Sequence, residues 1–193
     1  MKRLILILIL TVSFQTLTKA DDIRDFEIEG ISIGDSLLNF YSEKKIKSIE
    51  PLYYPGSKKF YQIAILIENG RYNALNINLK EGDKKYIVHS IKGLKNYDNR
   101  HKDCLEEKKN LISEISSIVK NAKKNKYKSD YSNRFGKSFA IGTTFEVSNG
   151  SFTAFCAKWD KKNKDIISRN WVDTLNVNMA TREWMNWLEY ETK

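Results

Sequence analysis

The chain is 193 residues long, 41% hydrophobic and 30% charged, with a formal net charge of +9. A chain of that length makes one domain, or two small ones sharing a core, and buries about 70% of its unfolded surface. The positive charge favours solubility and weak attraction to anionic surfaces without naming a fold or a partner. Its lysine, isoleucine and asparagine bias is the one AT-rich codons produce, so many of the lysines need not be there for binding.

Lys2 and Arg3 precede an unbroken apolar run over 4–10, and Thr18 and Ala20 put small residues where a signal peptidase cuts. This is the pattern of a secretory signal peptide over 1–20, cleaved after Ala20. The run falls short of the roughly 20 apolar residues a membrane span needs. No later run is longer, and no cysteine lies close behind for lipid attachment. Residues 21–193 then form a periplasmic or secreted α+β domain with no transmembrane span after cleavage. Loss of Lys2, Arg3 and Lys19 brings its charge to +6.

Residues 21–29 read as a polar, extended lead-in. Ser32 or Asp35 can cap a short helix burying Leu37, Leu38 and Tyr41, and Ser42 starts a second helical turn with Ile46 and Ile49 inward. Pro51 and Pro55-Gly56 mark a loop. Three strands follow, over 60–68, 72–79 and 85–91, the second with Leu75, Ile77 and Leu79 on one face. Asn69-Gly70 and Glu81-Gly82-Asp83 supply the turns of an antiparallel meander. A polar loop over 93–99 leads to an amphipathic helix over 102–122. Cys104, Lys108, Leu111, Ile115, Ile118 and Ala122 form its inner stripe, and Glu106, Glu107, Lys109, Glu114 and Lys120 lie mostly outside it.

That helix dissolves into a lysine run through Lys128. The second half holds strands over 139–148 and 151–159 around an Asn149-Gly150 hairpin turn. A charged loop over 160–165, a strand over 171–179 and a helix capped by Thr181 follow, with Trp184, Trp187 and Leu188 inward. The order is helix, three strands, helix, three strands, helix. Two α-βββ halves, 30–100 and 101–193, are an alternative division, since 74–79 resembles 174–179; chance similarity in an asparagine-rich chain is the competing account.

Cys104 and Cys156 are the only cysteines. In an oxidising compartment an even count favours a disulfide, here between helix and strand. The alternatives are a free thiol beside His101 or a metal site, which would need three or four ligands that nothing nearby supplies.

Gly34-Asp35-Ser36-Leu37 spells the nucleophile block of GDSL-type esterases. The preceding residues are broken by Glu29 and Gly30, and the only histidines, His89 and His101, lie too early to supply that family's base, which a serine nucleophile requires. A helix-capping Asp-Ser is the better reading. His89 reads as a core or groove histidine, and Glu106-Glu107 and Glu189-Glu191 as solvated helix surface. Trp171, Trp184 and Trp187 fit core positions, leaving Trp159 as the exposed tryptophan. Lys120, Lys123, Lys124, Lys126 and Lys128, with Tyr127 and Tyr131 nearby, form a candidate contact with an anionic surface, against the plainer reading of a solvated loop. In an exported protein the partner would be anionic envelope polymer or lipid head groups, not nucleic acid.

The run 28–38, with 86–93 and the Cys104 helix, resembles a group of small uncharacterised exported proteins of marine alphaproteobacteria with AT-rich genomes. That resemblance spans most of the exported chain and implies no activity, cofactor or site. Segment 30–92 also resembles, at the level of fold, the helix–helix–three-strand lipoproteins of outer-membrane barrel assembly. The sequence therefore reads as a non-enzymatic binding or envelope-accessory protein without a cofactor. A small secreted hydrolase with a concealed site is the alternative.

Overall fold

A computed structural model describes residues 22–119 and 121–192. The expected signal peptide over 1–20 and Lys120 lie outside the described residues. The N-terminal segment enters through a 3-10 turn (Ile23–Asp25) closed by a reciprocal Asp22–Asp25 capping box. A short hairpin follows, β1 (Glu27–Ile28) with β2 (Ile31–Ser32). Glu29 and Gly30 at its tip both take positive φ, 52° and 76°, a conformation that glycine adopts without cost. A 3-10 turn (Leu37–Asn39) and α1 (Glu43–Lys47) come next.

One eight-stranded antiparallel sheet dominates the chain. It is made of β3 (Leu52–Tyr54), β4 (Ser57–Leu66), β5 (Ala74–Lys80), β6 (Ser90–Asp98), β7 (Lys123–Asp130), β8 (Phe139–Val147), β9 (Gly150–Lys158) and β10 (Asp173–Thr181). The spatial order is β3-β4-β5-β6-β10-β9-β8-β7. Each half is thus a four-stranded meander, and the last strand of one pairs with the last strand of the other, Ile91 facing Met179 and Gly93 facing Val177. The remaining helices are α2 (His101–Ile118), α3 (Ser132–Phe135), α4 (Lys164–Ser168) and α5 (Arg182–Tyr190).

The alternation of each strand gives the sheet two unlike faces. One face carries Ile63, Ile65, Leu75, Ile77, Leu79, Ile91, Val177, Met179, Phe152 and Phe145, all buried. The N-terminal segment covers one end of it through Ile23, Phe26, Ile28, Ile31, Ile33 and Leu37. Helix α2 covers the other end through Cys104, Leu111, Ile112 and Ile115. The opposite face carries Gln62, Asn76, Asn78, Lys92, Asn178, Thr153 and Thr144. Helix α5 packs on it, where Trp184 and Trp187 sit with Phe60 and Ala180 in a separate small core that Tyr54 of β3 joins.

The fold is α+β with antiparallel pairing and one helix-to-sheet disulfide, as the sequence implies. Cys104 and Cys156 are bridged with their Cα atoms 6.1 Å apart and 52 positions apart in the chain. The element order differs from expectation. Each half contributes four strands to the large sheet, not three. The extra strand of the first half, β3, lies between Pro51 and Pro55, which read as loop punctuation but are tolerated at a sheet edge. The extra strand of the second half, β7, is the lysine run itself, drawn into the sheet by pairing with β8.

The third strand of the first half is also displaced. Asp83 accepts the amides of Lys85 and Ile87, 2.9 Å each, and Tyr86 takes φ 50°. Residues 85–89 therefore turn into the core on Tyr86 and Val88, and the strand begins only at Ser90, absorbing the expected polar loop over 93–99. The lead-in 21–29 is not merely polar, because Ile23, Phe26 and Ile28 are buried. The matched segments 74–79 and 174–179 fall on β5 and β10, the third strand of one meander and the fourth of the other, which are not equivalent places.

Candidate anion-binding groove

On the α2-covered face the sheet runs past the helix to the edge strand β7. A groove of 770 Å³ opens there between α2 and the outer two strands. Its floor is apolar, with Leu105 and Ile112 from α2 and Ile141 from β8. Its walls carry five lysines: Lys108 and Lys109 from the helix, and Lys124, Lys126 and Lys128 from the strand.

Strand alternation explains the second set. Lys124, Lys126 and Lys128 stand opposite Phe145, Thr143 and Ile141 of β8 and so share the α2-facing side, spaced about 7 Å apart along the strand. Tyr127, between them, points the other way, and its ring lies over Gly142, where any Cβ would collide with it. Lys124 lies over the Phe145 ring at 5.1 Å and Lys128 over the Phe139 ring at 5.0 Å. The ammonium of Lys124 also donates to Ser116 Oγ at 2.9 Å.

Lys108 is the unusual member. It is only 9% exposed, at an apolar-stripe position of α2, and its Nζ donates to the Ile141 carbonyl at 3.0 Å. Burial pushes its ammonium down from the ordinary lysine range, and the Lys126 charge adds to that. Among the described residues no carboxylate lies within ion-pairing distance of any of the five lysines. The other flank of α2 is different. Glu107 there receives Lys95 Nζ at 2.6 Å, the Tyr97 hydroxyl and Arg71 at 3.4 Å. Glu107 is therefore a half-buried clamp, not the solvated surface residue its helical position suggested.

The sequence-derived candidates divide accordingly. Lys124, Lys126 and Lys128 are brought together in the groove, Lys123 points to the opposite face of β7, and Lys120 lies outside the described residues. Lys108 and Lys109 were missed as site residues. The available signal was a lysine inside an otherwise apolar helical stripe.

Other candidates are held elsewhere. Ser36 Oγ donates to the Lys85 carbonyl at 2.6 Å and makes no side-chain cap on the turn that follows it. His89 is edge-on to Phe60 at 5.0 Å, its Nδ1 3.7 Å from Glu183, so the two are not joined as nucleophile and base. His101 is buried against Phe139 with Nδ1 3.8 Å from Asp173. Among the described residues no cluster of metal-ligating side chains occurs, and both cysteines are in the bridge. Trp171 is not a core residue: it is half-buried and 4.6 Å from Trp159, whose own ring is stacked on Tyr131 at 5.6 Å. The faces of Trp159 that could have served as a platform are thus taken by neighbours.

Comparison of the chain with protein-family models, curated proteins and solved structures gives no match. Among the described residues no helix is long and apolar enough to cross a membrane.

Proposed function

We propose that this is a non-enzymatic binding protein that acts outside the cytoplasm and holds a stretch of linear anionic polymer in the α2–β7 groove. The observation that carries this is the uncompensated charge: five lysines line one groove, one of them desolvated, and among the described residues no carboxylate pairs with them. Lysines on an edge strand also discourage sheet-to-sheet pairing. That role asks only that β7 be charged, and leaves unexplained a buried Lys108 across the groove on a helix. A groove between strand and helix, with cations repeating along its length, suits an extended chain better than a flat membrane surface. The helix-to-sheet disulfide accords with an oxidising compartment.

The test is binding of the purified chain to polyphosphate and to polygalacturonate, followed by fluorescence anisotropy across a salt series. Affinity should fall linearly with the logarithm of salt, and each of Lys124→Gln, Lys126→Gln and Lys128→Gln should lower that slope by about one. Lys84→Gln, at the first groove near the opposite end of the strand order, should leave it alone. Equal binding to phosphatidylglycerol vesicles, with the same loss in the three variants, would replace polymer by lipid head groups. Binding unmoved by any of the three would remove the groove from consideration.

A further inference from the structure

The opposite face of the sheet is polar, and it holds a half-buried lysine, Lys92. Two rows of side chains cross it. Gln62, Asn78 and Ser90 stand side by side on β4, β5 and β6, and Asn76, Lys92, Asn178 and Thr153 on β5, β6, β10 and β9. Of these, Gln62, Asn78, Lys92, Asn178 and Thr153 border a cavity of 230 Å³ together with Phe155 and Trp184. Among the described residues Lys92 makes neither a hydrogen bond nor an ion pair, although it is half-buried and burial pushes its ammonium down.

The neighbouring amides are oriented by the protein itself. The Tyr54 hydroxyl donates to Asn78 Oδ1 at 2.8 Å, and Ser90 Oγ donates to Asn178 Oδ1 at 3.2 Å. With both carbonyl ends engaged, each NH2 group remains available as a donor. The indole N–H of Trp184 is buried with no acceptor, the kind of orphan that ordinarily marks a missing partner. The acids of this region are engaged elsewhere, Glu183 with Lys80 at 3.2 Å. The wall therefore combines one ammonium with amide donors and no anion.

We infer that the cavity around Lys92 is a binding site for a small carboxylate, with Lys92 as its ion-pairing partner and the side-chain amides of Asn78 and Asn178 as flanking donors. The ligand is either a simple carboxylic acid or a sugar acid, whose hydroxyls would add bonds to Gln62 and Thr153. This site lies on the other face of the sheet from the lysine groove and stands or falls separately.

The side-chain amide and indole resonances of the 15N-labelled chain provide the test, titrated with sodium acetate and with sodium glucuronate at constant ionic strength, chloride serving as the control. Saturable shifts at Asn78 and Asn178 with either acid, absent with chloride, are expected. Saturation by glucuronate at concentrations roughly tenfold lower than acetate, the worth of added hydrogen bonds, would identify a sugar acid; equal concentrations would identify a simple acid. Lys92→Met should abolish the shifts while Lys126→Gln keeps them. Asn178→Asp, nearly isosteric, supplies Lys92 with an internal carboxylate and should also abolish them in a chain whose remaining spectrum is unchanged. Shifts that never saturate, that chloride reproduces, or that persist in Asn178→Asp would overturn the site.

Discussion

Two grooves occupy corresponding places in the two halves, each between a meander and the helix that precedes it. The first, 610 Å³, lies between α1 and the outer strands β3 and β4. The second is the lysine groove between α2 and β7. Their charges are arranged differently. In the first, Glu43 pairs with Lys47 at 2.7 Å and receives the Tyr86 hydroxyl at 3.2 Å. Glu81 receives Tyr53 at 2.7 Å, and Asp83 is spent on two backbone amides. In the second, lysines face one another across an apolar floor, and the cationic ends have only a serine, a carbonyl and two rings. The first groove's carboxylates serve the fold, since each has a partner that the fold supplies. In the second groove Lys108 and Lys124 have one neutral acceptor each, and the Lys126 charge adds to the burial that pushes the Lys108 ammonium down.

The walls differ as well, and this gives the largest expected effect. The helix of the first groove is one short turn, whereas α2 is long and is tied to β9 through Cys104–Cys156. Closing a loop of that length contributes about 4 kcal/mol in the chain-entropy treatment. The double variant Cys104→Ala with Cys156→Ala should lower the unfolding free energy measured by urea denaturation by about that amount. It should also speed amide exchange in α2 and β7 more than in β3 and β4. Equal acceleration at both grooves would mean that the bridge stabilises the whole sheet and does not selectively hold the lysine wall.

A smaller effect separates the two flanks of α2. Burial pushes the Glu107 carboxyl up, but hydrogen bonds from Lys95 and Tyr97 and the nearby Arg71 outweigh it and hold the carboxyl below its ordinary value. A carboxyl lowered on folding contributes stability that is present above its unfolded pKa and is lost as pH falls through its folded one. Glu107→Gln should cost about 1–2 kcal/mol at neutral pH, the scale of a charge-assisted hydrogen bond, and should flatten the loss of stability on acidification. Denaturation curves of both proteins between neutral and acid pH measure this, and parallel curves would show that the clamp is electrostatically idle.

The contrast between the grooves was only partly legible in the sequence. The α2 stripe, the Asn149-Gly150 hairpin, the Thr181 cap, which accepts the Trp184 amide at 3.1 Å, and the cysteine pair could be read because each depends on local spacing or turn chemistry. The strand character of β7 could not, because Lys-Lys-Asn-Lys-Tyr-Lys has no apolar alternation and becomes a strand only through its register with β8. Local patterning also misplaced β6: Tyr86 and Val88 alternate as a strand would, but the Asp83 carboxylate had already bent the chain. The polar face with Lys92 was hidden because its rows run across strands distant in the chain.

The smallest expected effect on stability tests the idea that Lys108 serves a ligand. A buried ammonium bound to one carbonyl gains a hydrogen bond but bears a desolvation penalty and the Lys126 repulsion. Replacing such a group by an apolar side chain of similar length is often neutral or favourable. Lys108→Met should therefore leave stability at neutral pH within about 1 kcal/mol of the parent, unlike the usual loss on disturbing a buried site. The pH dependence follows from the lowered pKa. The unfolded chain holds this proton to about pH 10.4 while the folded chain releases it sooner, so parental stability gains as pH rises between those two values. The Met variant should lack that gain, and should bind polyanion less tightly at neutral pH. A variant destabilised by more than about 2 kcal/mol that still bound polyanion at parental affinity would make Lys108 a structural strut, and the second groove would then resemble the first.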